Sequence, residues 1–296
     1  MSNLKPGNAK STATRSSTSG HLLPKLLMLG LASLFSAVAS AQTVPLGSAA
    51  SFGVLAGSAI TSVGPTVITG DLGIHPNNAS SVTGFSFSTP PGPGIVNGAT
   101  HFANAVALQA QNDATTAYNT LAALPCTATI PGDLGGMTLT PGVYCSNSTM
   151  GLTGAVTLNG QGDPAARFVF KVGSALTTAS GASVNLVNGA QSCNVFWQVG
   201  SSATLGMGTN FLGTVIAFTS VTITTGTSVN GRTIARNGAV TAGSASISVC
   251  TLGGGTNPPL PPAPISTPVP ALGMGFALLM GLALVVVVAA RRRQSA

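Results

Sequence analysis

The middle of the chain is written in two hydrophobic periods. From Gly154 onward, short runs alternate apolar and small polar residues, as in Ala203-Thr204-Leu205 and Val221-Thr222-Ile223, with glycines between them. Period two is the pattern of a strand with one face turned inward. A short glycine motif recurs among these runs. It appears as Val63-Gly64-Pro65-Thr66-Val67, Thr153-Gly154-Ala155-Val156-Thr157, Ser180-Gly181-Ala182-Ser183-Val184, Met207-Gly208-Thr209-Asn210-Phe211 and Thr225-Gly226-Thr227-Ser228-Val229. A degenerate copy is Gly243-Ser244-Ala245-Ser246-Ile247.

From Gly154 the copies follow at steps of 27, 27, 18 and 18 residues, the last counted to Ser244. The flanks repeat too. Leu212-Gly213-Thr214-Val215-Ile216-Ala217 matches Asn230-Gly231-Arg232-Thr233-Ile234-Ala235 at an offset of 18. A period near 18 with glycine turns predicts one coil of a β-solenoid per repeat, and the longer steps predict coils with insertions. In Thr214-Val215-Ile216-Ala217-Phe218 the apolar residues cannot all face one way, so that strand should be covered on both sides. The first copy lies 90 residues before the second, which predicts a discontinuous solenoid with an insertion after its first coil.

The other period is helical. Phe102, Val106, Ala110, Ala114, Ala117, Leu121 and Leu124 recur at spacings of three and four. They predict a helix over residues 97–124, ended by Pro125, whose Ala-rich stripe lies close along a flank of the solenoid. Residues 80–94, with Pro90-Pro91-Gly92-Pro93, read as a loop or cap. Gly70-Asp71-Leu72-Gly73 and Gly132-Asp133-Leu134-Gly135 are near copies in which each Asp is expected to cap a turn.

Composition narrows the function. The chain carries 11 Lys and Arg against 4 acidic residues, a net charge of +7. Seven of the cations sit at the ends: Lys5, Lys10, Arg15 and Lys25, and Arg291 to Arg293. The middle pairs Arg167, Lys171, Arg232 and Arg236 with Asp71, Asp113, Asp133 and Asp163, and is neutral. A neutral domain has no basic patch for phosphates, which excludes a nucleic-acid partner. Four dispersed Asp residues supply no acid–base pair, so the chain is read as not an enzyme, a polysaccharide lyase or hydrolase included. No cofactor or metal is implied, since there is no Cys-x-x-Cys or Cys/His cluster. Trp197, within Val195-Phe196-Trp197-Gln198-Val199, is read as core.

The ends read as targeting segments. Residues 1–41 resemble a signal peptide, with a basic region up to Lys25, the apolar run Leu26 to Leu34, and Ala39-Ser40-Ala41 at a cleavage site. The mature domain is then 42–252. Residues 253–270 form a Gly/Pro-rich linker, 271–290 an apolar run long enough for a transmembrane helix, and 291–296 a basic cytoplasmic tail. The order of Pro268-Val269-Pro270, apolar run and Arg cluster resembles the C-terminal protein-sorting signals of Gram-negative bacteria, although the usual Trp is absent. That resemblance implies a sorting protease-transpeptidase as a partner, and a protein at the cell surface or released. Cys126, Cys145, Cys193 and Cys250 suit export. Four cysteines allow three pairings, of which Cys126–Cys145 with Cys193–Cys250 is favoured.

Several passages together resemble the ice-binding proteins of bacteria, fungi and algae. They are Gly70-Asp71-Leu72-Gly73, Leu139-Thr140-Pro141-Gly142-Val143-Tyr144, Gly162-Asp163-Pro164, Arg167-Phe168-Val169-Phe170, residues 194–205 and residues 229–241. The resemblance spans Ala49 to Val249. It implies a mainly β fold: an irregular, discontinuous right-handed β-solenoid, triangular in section, with one long helix alongside. It also implies a monomeric domain whose partner is the ice crystal surface, met by a flat wall of stacked strands. The family motif on that wall is Thr, then Ala or Gly, any residue, then Thr or Asn. Thr225-Gly226-Thr227-Ser228, Thr241-Ala242-Gly243-Ser244, Met207-Gly208-Thr209-Asn210 and Ser180-Gly181-Ala182-Ser183 match it in part. The candidate ice-binding residues are thus Thr66, Thr153, Ser180, Ser183, Thr209, Asn210, Thr225, Thr227, Ser228, Thr241, Ser244 and Ser246. The alternative function is a structural or adhesive surface protein without ice activity, since a fold alone does not fix a function.

Overall fold

The computed structural model describes residues 44–251. The expected signal peptide, the linker, the apolar run 271–290 and the basic tail lie outside the described residues. Among the described residues no helix is long and apolar enough to cross a membrane.

All the strand pairs that build the domain are parallel, and each complete coil sends one strand into each of three stacks. One stack is a seven-stranded sheet, in the order Met150–Leu152, Leu176–Thr178, Ala203–Leu205, Val221–Ile223, Val240–Ala242, Ile60–Ser62 and Val82–Thr83. The other two belong to a fifteen-stranded sheet that bends. Asn210–Ala217 and Ser228–Ala235 run through the bend, from one stack into the next. Gly213 and Gly231 sit in it with φ of +109° and +156°. Side chains have no room there, because a Cβ at Gly231 would collide with the Gly213 carbonyl. The 18-residue offset appears directly as register: Leu212 pairs with Asn230, Thr214 with Arg232 and Ala217 with Ala235. The 27-residue steps carry their extra residues at the same bend, in the loops between Asn159 and Phe168 and between Val187 and Val195.

The discontinuity has a definite form. Ile60–Ser62 stacks on Val240–Ala242, and Val67–Thr69 on Ser246–Ser248. The first coil of the chain therefore lies on its last. The chain then makes a cap, runs the length of the stack as a helix, and winds back coil by coil to meet its own beginning.

That helix spans Ala105–Ala123, not residues 97–124. Residues 97–104 instead complete the cap: Thr100–Phe102 is a strand paired with residues 72–74. Gly98 packs against the Gly70 backbone too closely for any Cβ, and Ala103 turns the chain at φ +50°. Asn104 then caps the helix by accepting the Ala107 N–H at 2.9 Å. The buried stripe is Ala107, Ala110, Gln111, Ala114, Ala117, Tyr118 and Leu121, so Phe102 and Val106 drop out of it. Nineteen residues reach about 28 Å, enough to cross about six coils. Small alanines let the helix close down on Val169, Phe196, Ile216, Ile234 and Leu55, which point out of successive strands. As the sequence pattern implied, those strands are buried on both sides.

The interior is filled by the alternate residues of all three stacks. Tyr144, Phe170 and Trp197 form a column, with ring centroids 5.7 and 3.9 Å apart. Trp197 is fully buried and donates its indole N–H to the Leu212 carbonyl at 3.1 Å. Cys126 is joined to Cys145 and Cys193 to Cys250. Beside the second pair, the buried Arg232 donates Nε–H to the Ala50 carbonyl at 2.8 Å and reaches Cys250 Sγ at 3.2 Å. Burial pushes its pKa down to about 10.

Candidate functional site

The seven-stranded stack has strands that share one burial pattern. Its strands alternate inward, outward, inward, and the outward residue falls in register from coil to coil. Gly151 pairs with Thr177, Thr177 with Thr204, Thr204 with Thr222, Thr222 with Thr241, Thr241 with Thr61, and Thr61 with Thr83. Six consecutive threonines thus stand in one column, spaced by the strand separation of about 4.8 Å. Their neighbours inside are apolar or small: Leu176 and Thr178, Ala203 and Leu205, Val221 and Ile223, Val240 and Ala242, Ile60 and Ser62.

The residues two places to either side also point outward. On one side stand Thr149, Ala175, Ser202, Ser220, Ala239 and Ala59; on the other Thr153, Ala179, Gly206, Thr224, Gly243 and Val63. Backbone bonds continue the stacking through both flanks, from Ala203 N to Ser220 O and from Thr224 N to Leu205 O, at 2.9 and 3.0 Å. No residue of the three columns ionises. The face is flat because no flank residue except Val63 is larger than threonine.

The corner beside this face is built from the glycine motif. Gly154, Gly181, Gly208 and Gly226 take φ between +66° and +80°, which turns the chain into the next stack. One residue after each of Gly208 and Gly226, a threonine points inward. Thr209 and Thr227 are 0% and 1% exposed, as is Thr66 at 0%. These three candidates are corrected: they lie inside the solenoid and cannot meet a surface. Their hydroxyls bond corner carbonyls, two of which, Gly206 and Ala179, also accept a turn N–H, from Thr209 and Ala182. Thr227 donates to Gly206 O at 2.9 Å, Thr209 to Ala179 O at 3.3 Å, and Thr66 to Gly243 O.

The other candidates divide among three places. Thr241 is on the central column. Thr153 is on a flank column at the end coil, where its hydroxyl goes to Asp133 Oδ2 at 2.8 Å. Ser180, Thr225 and Ser244 line the corner. Ser183, Asn210, Ser228 and Ser246 form a row on the adjoining face of the bent sheet, paired in that order. Reading the corner motif missed Thr61, Thr83, Thr177, Thr204 and Thr222. The signal for two of them was present, in the 18-residue match of Ala203-Thr204-Leu205 to Val221-Thr222-Ile223.

Three of the four carboxylates sit off the face, while Asp133 stands at its end, bridged to Gly151 beyond the last threonine. Burial works against the charge on Asp133, but the N–H groups of Gly135 and Thr153 and the Thr153 hydroxyl outweigh it and hold its carboxyl below the usual range. Asp133 thus caps its own turn, at 2.6 Å from Gly135 N. Asp71 differs from its near copy: it accepts the N–H of Ala99, in a loop 28 residues away. The Ser48 hydroxyl, opposed by slight burial and helped by the Ser48 N–H and Gln109, lowers the Asp113 carboxyl in the same way.

A parallel β-solenoid whose outer face repeats an uncharged residue from coil to coil defines a class of protein that can match a repeating solid surface. Comparison with known proteins agrees. Residues 54–248 match the ice-binding-like family, and the chain belongs to it. An ice-binding protein of Nostoc sp. (strain HG1) is 50% identical over 218 residues, covering 73% of this chain and 78% of its own. The crystal structure of an ice binding protein from an Antarctic biological consortium superposes with a TM-score of 0.66 at 48% identity, covering 70% of this chain and 91% of that one. An ice-binding protein from an Arctic yeast gives a TM-score of 0.64 at 32% identity, covering 70% and 94%.

Proposed function

We propose that this protein adsorbs to ice through the threonine face and so restrains ice growth or recrystallisation. The observation that carries this reading is the unbroken register of Thr177, Thr204, Thr222, Thr241, Thr61 and Thr83. Each threonine offers a methyl and a hydroxyl, and β-branching restricts its rotamers. The methyls discourage random hydration while the hydroxyls hold water at the coil spacing. A water layer ordered in this way can merge with a crystal lattice. Each contact is weak, so adsorption needs many rungs on a scaffold with little freedom left to lose. Of the proposed contact set from the sequence, Thr241 and Thr153 stay on the face; Ser180, Thr225 and Ser244 border it.

The setting we propose is export, followed by display at or release from the cell surface, drawn from the sequence of residues 1–41 and 253–296. The position of the chain's exit supports display. Cys250 lies beside Arg232, which binds the Ala50 carbonyl, so the chain enters and leaves near the helix-covered stack rather than the threonine face. A tether there leaves the face free.

The test is to cool the purified protein with seed ice and, separately, to incubate it with cells and solid surfaces above freezing. Faceted crystals and suppressed recrystallisation are expected. Unshaped ice together with binding above freezing would establish the adhesive role instead.

A further inference from the structure

The edge of the threonine face is uneven, and one residue makes it so. Successive coils place Ser180, Met207, Thr225 and Ser244 at the corner, linked by Gly181 N to Met207 O, Gly208 N to Thr225 O and Gly226 N to Ser244 O at 2.8, 3.0 and 2.7 Å. Three of the four carry a short hydroxyl side chain. Met207 carries a long, flexible thioether, a weak acceptor in place of a hydroxyl. It is 60% exposed, and its sequence neighbours Gly206 and Gly208 give it no side chain to lie against. Beyond the corner lies the row Ser183, Asn210, Ser228 and Ser246, also in continuous register and also uncharged.

We propose that Met207 sets the boundary of the ice-contacting surface: its side chain stands as a step that keeps the Ser183–Ser246 row from sharing the ordered water of the threonine face. This inference rests on the proposed function. A lattice plane cannot follow a flexible projection at one rung of a regular ladder, so contact stops at the columns before the corner. With the step removed, the corner hydroxyls of Ser180, Thr225 and Ser244 continue the surface into the next row.

The experiment compares thermal hysteresis at equal molar concentration for wild type, Met207→Thr, Met207→Ala and Met207→Leu. Met207 is largely exposed, so thermal melts should show all four equally folded. Threonine and alanine are expected to raise hysteresis above wild type, and leucine, which keeps the bulk, to leave it unchanged. Ser228→Tyr should cancel the gain in the Met207→Thr background and do nothing in wild type. An active wild type whose threonine variant is equal or weaker would overturn the inference alone, as would a gain that survives Ser228→Tyr. An inactive wild type would remove the surface itself, and both readings with it.

Discussion

The threonine face and the helix-covered stack are built from the same coils by the same ladder, yet one is left open and the other is buried. The difference lies in the outward position of each strand. In the open stack it holds Thr61, Thr204, Thr222 and Thr241. In the covered stack it holds Leu55, Ile216 and Ile234, which the alanine stripe of the helix seals. Fully burying such an aliphatic side chain stabilises the fold by about 1.5–3 kcal/mol. Threonine has less to gain from cover and keeps a hydroxyl that wants water or a partner. A solenoid thus offers repeating surfaces without distinction, and the side chain at one position per strand decides which is core and which is function.

The hardest way to break this contrast is to make the covered side behave like an open one. Ile216→Asp places a carboxylate under the helix among Phe196, Ile234 and Tyr118. Loss of the fold, or destabilisation of several kcal/mol, is expected by thermal melting. The next largest effect is at the corner between faces. Thr227→Val keeps the shape of a buried residue but removes one of the two hydrogen bonds to the Gly206 carbonyl, which keeps the Thr209 N–H, and should cost about 0.5–1.5 kcal/mol. The same change at Thr222, on the outside, should leave stability nearly unchanged, and the pair of melts checks inside against outside. The smallest effect is acid sensitivity. The Asp113 and Asp133 carboxyls are held below their unfolded values. The stability they carry is complete above the ordinary carboxylate range and fades as pH falls through it to the folded values. Melting temperature should therefore decline modestly in acid, while ice activity per folded molecule stays nearly level, because the six threonines do not titrate and Asp133 lies beyond Gly151 at the end of their column.

Much of this architecture was legible in the sequence. The 18-residue offset between residues 212–217 and 230–235 is the physical register of two strands, and the doubly apolar strand around Ile216 implied a cover on its outer side. The four glycines of the repeat are true corners. The face itself was harder to read. Threonine serves equally well outside, as Thr222, and inside, as Thr227, where its hydroxyl meets a backbone carbonyl. Only the register separates the two. Thr61 and Thr83 were further hidden because Ile60–Ser62 stacks on Val240–Ala242, about 180 residues away in the chain, and Thr83 joins the column only through Thr61. The helix start was misplaced because Thr100-His101-Phe102 carries no strand alternation and is held by tertiary pairing with residues 72–74.

The most direct test of the account sets one bulky substitution on each of two open faces. Thr222→Tyr puts a ring at the middle of the threonine column. Asn185→Tyr puts the same ring on an exposed position of the adjoining stack. Both variants, confirmed as folded, would be scored for recrystallisation inhibition and crystal shaping beside the wild type. Thr222→Tyr is expected to lose most of its activity and Asn185→Tyr to keep it. Equal activity in the two variants, or loss in Asn185→Tyr alone, would contradict the assignment of the threonine face.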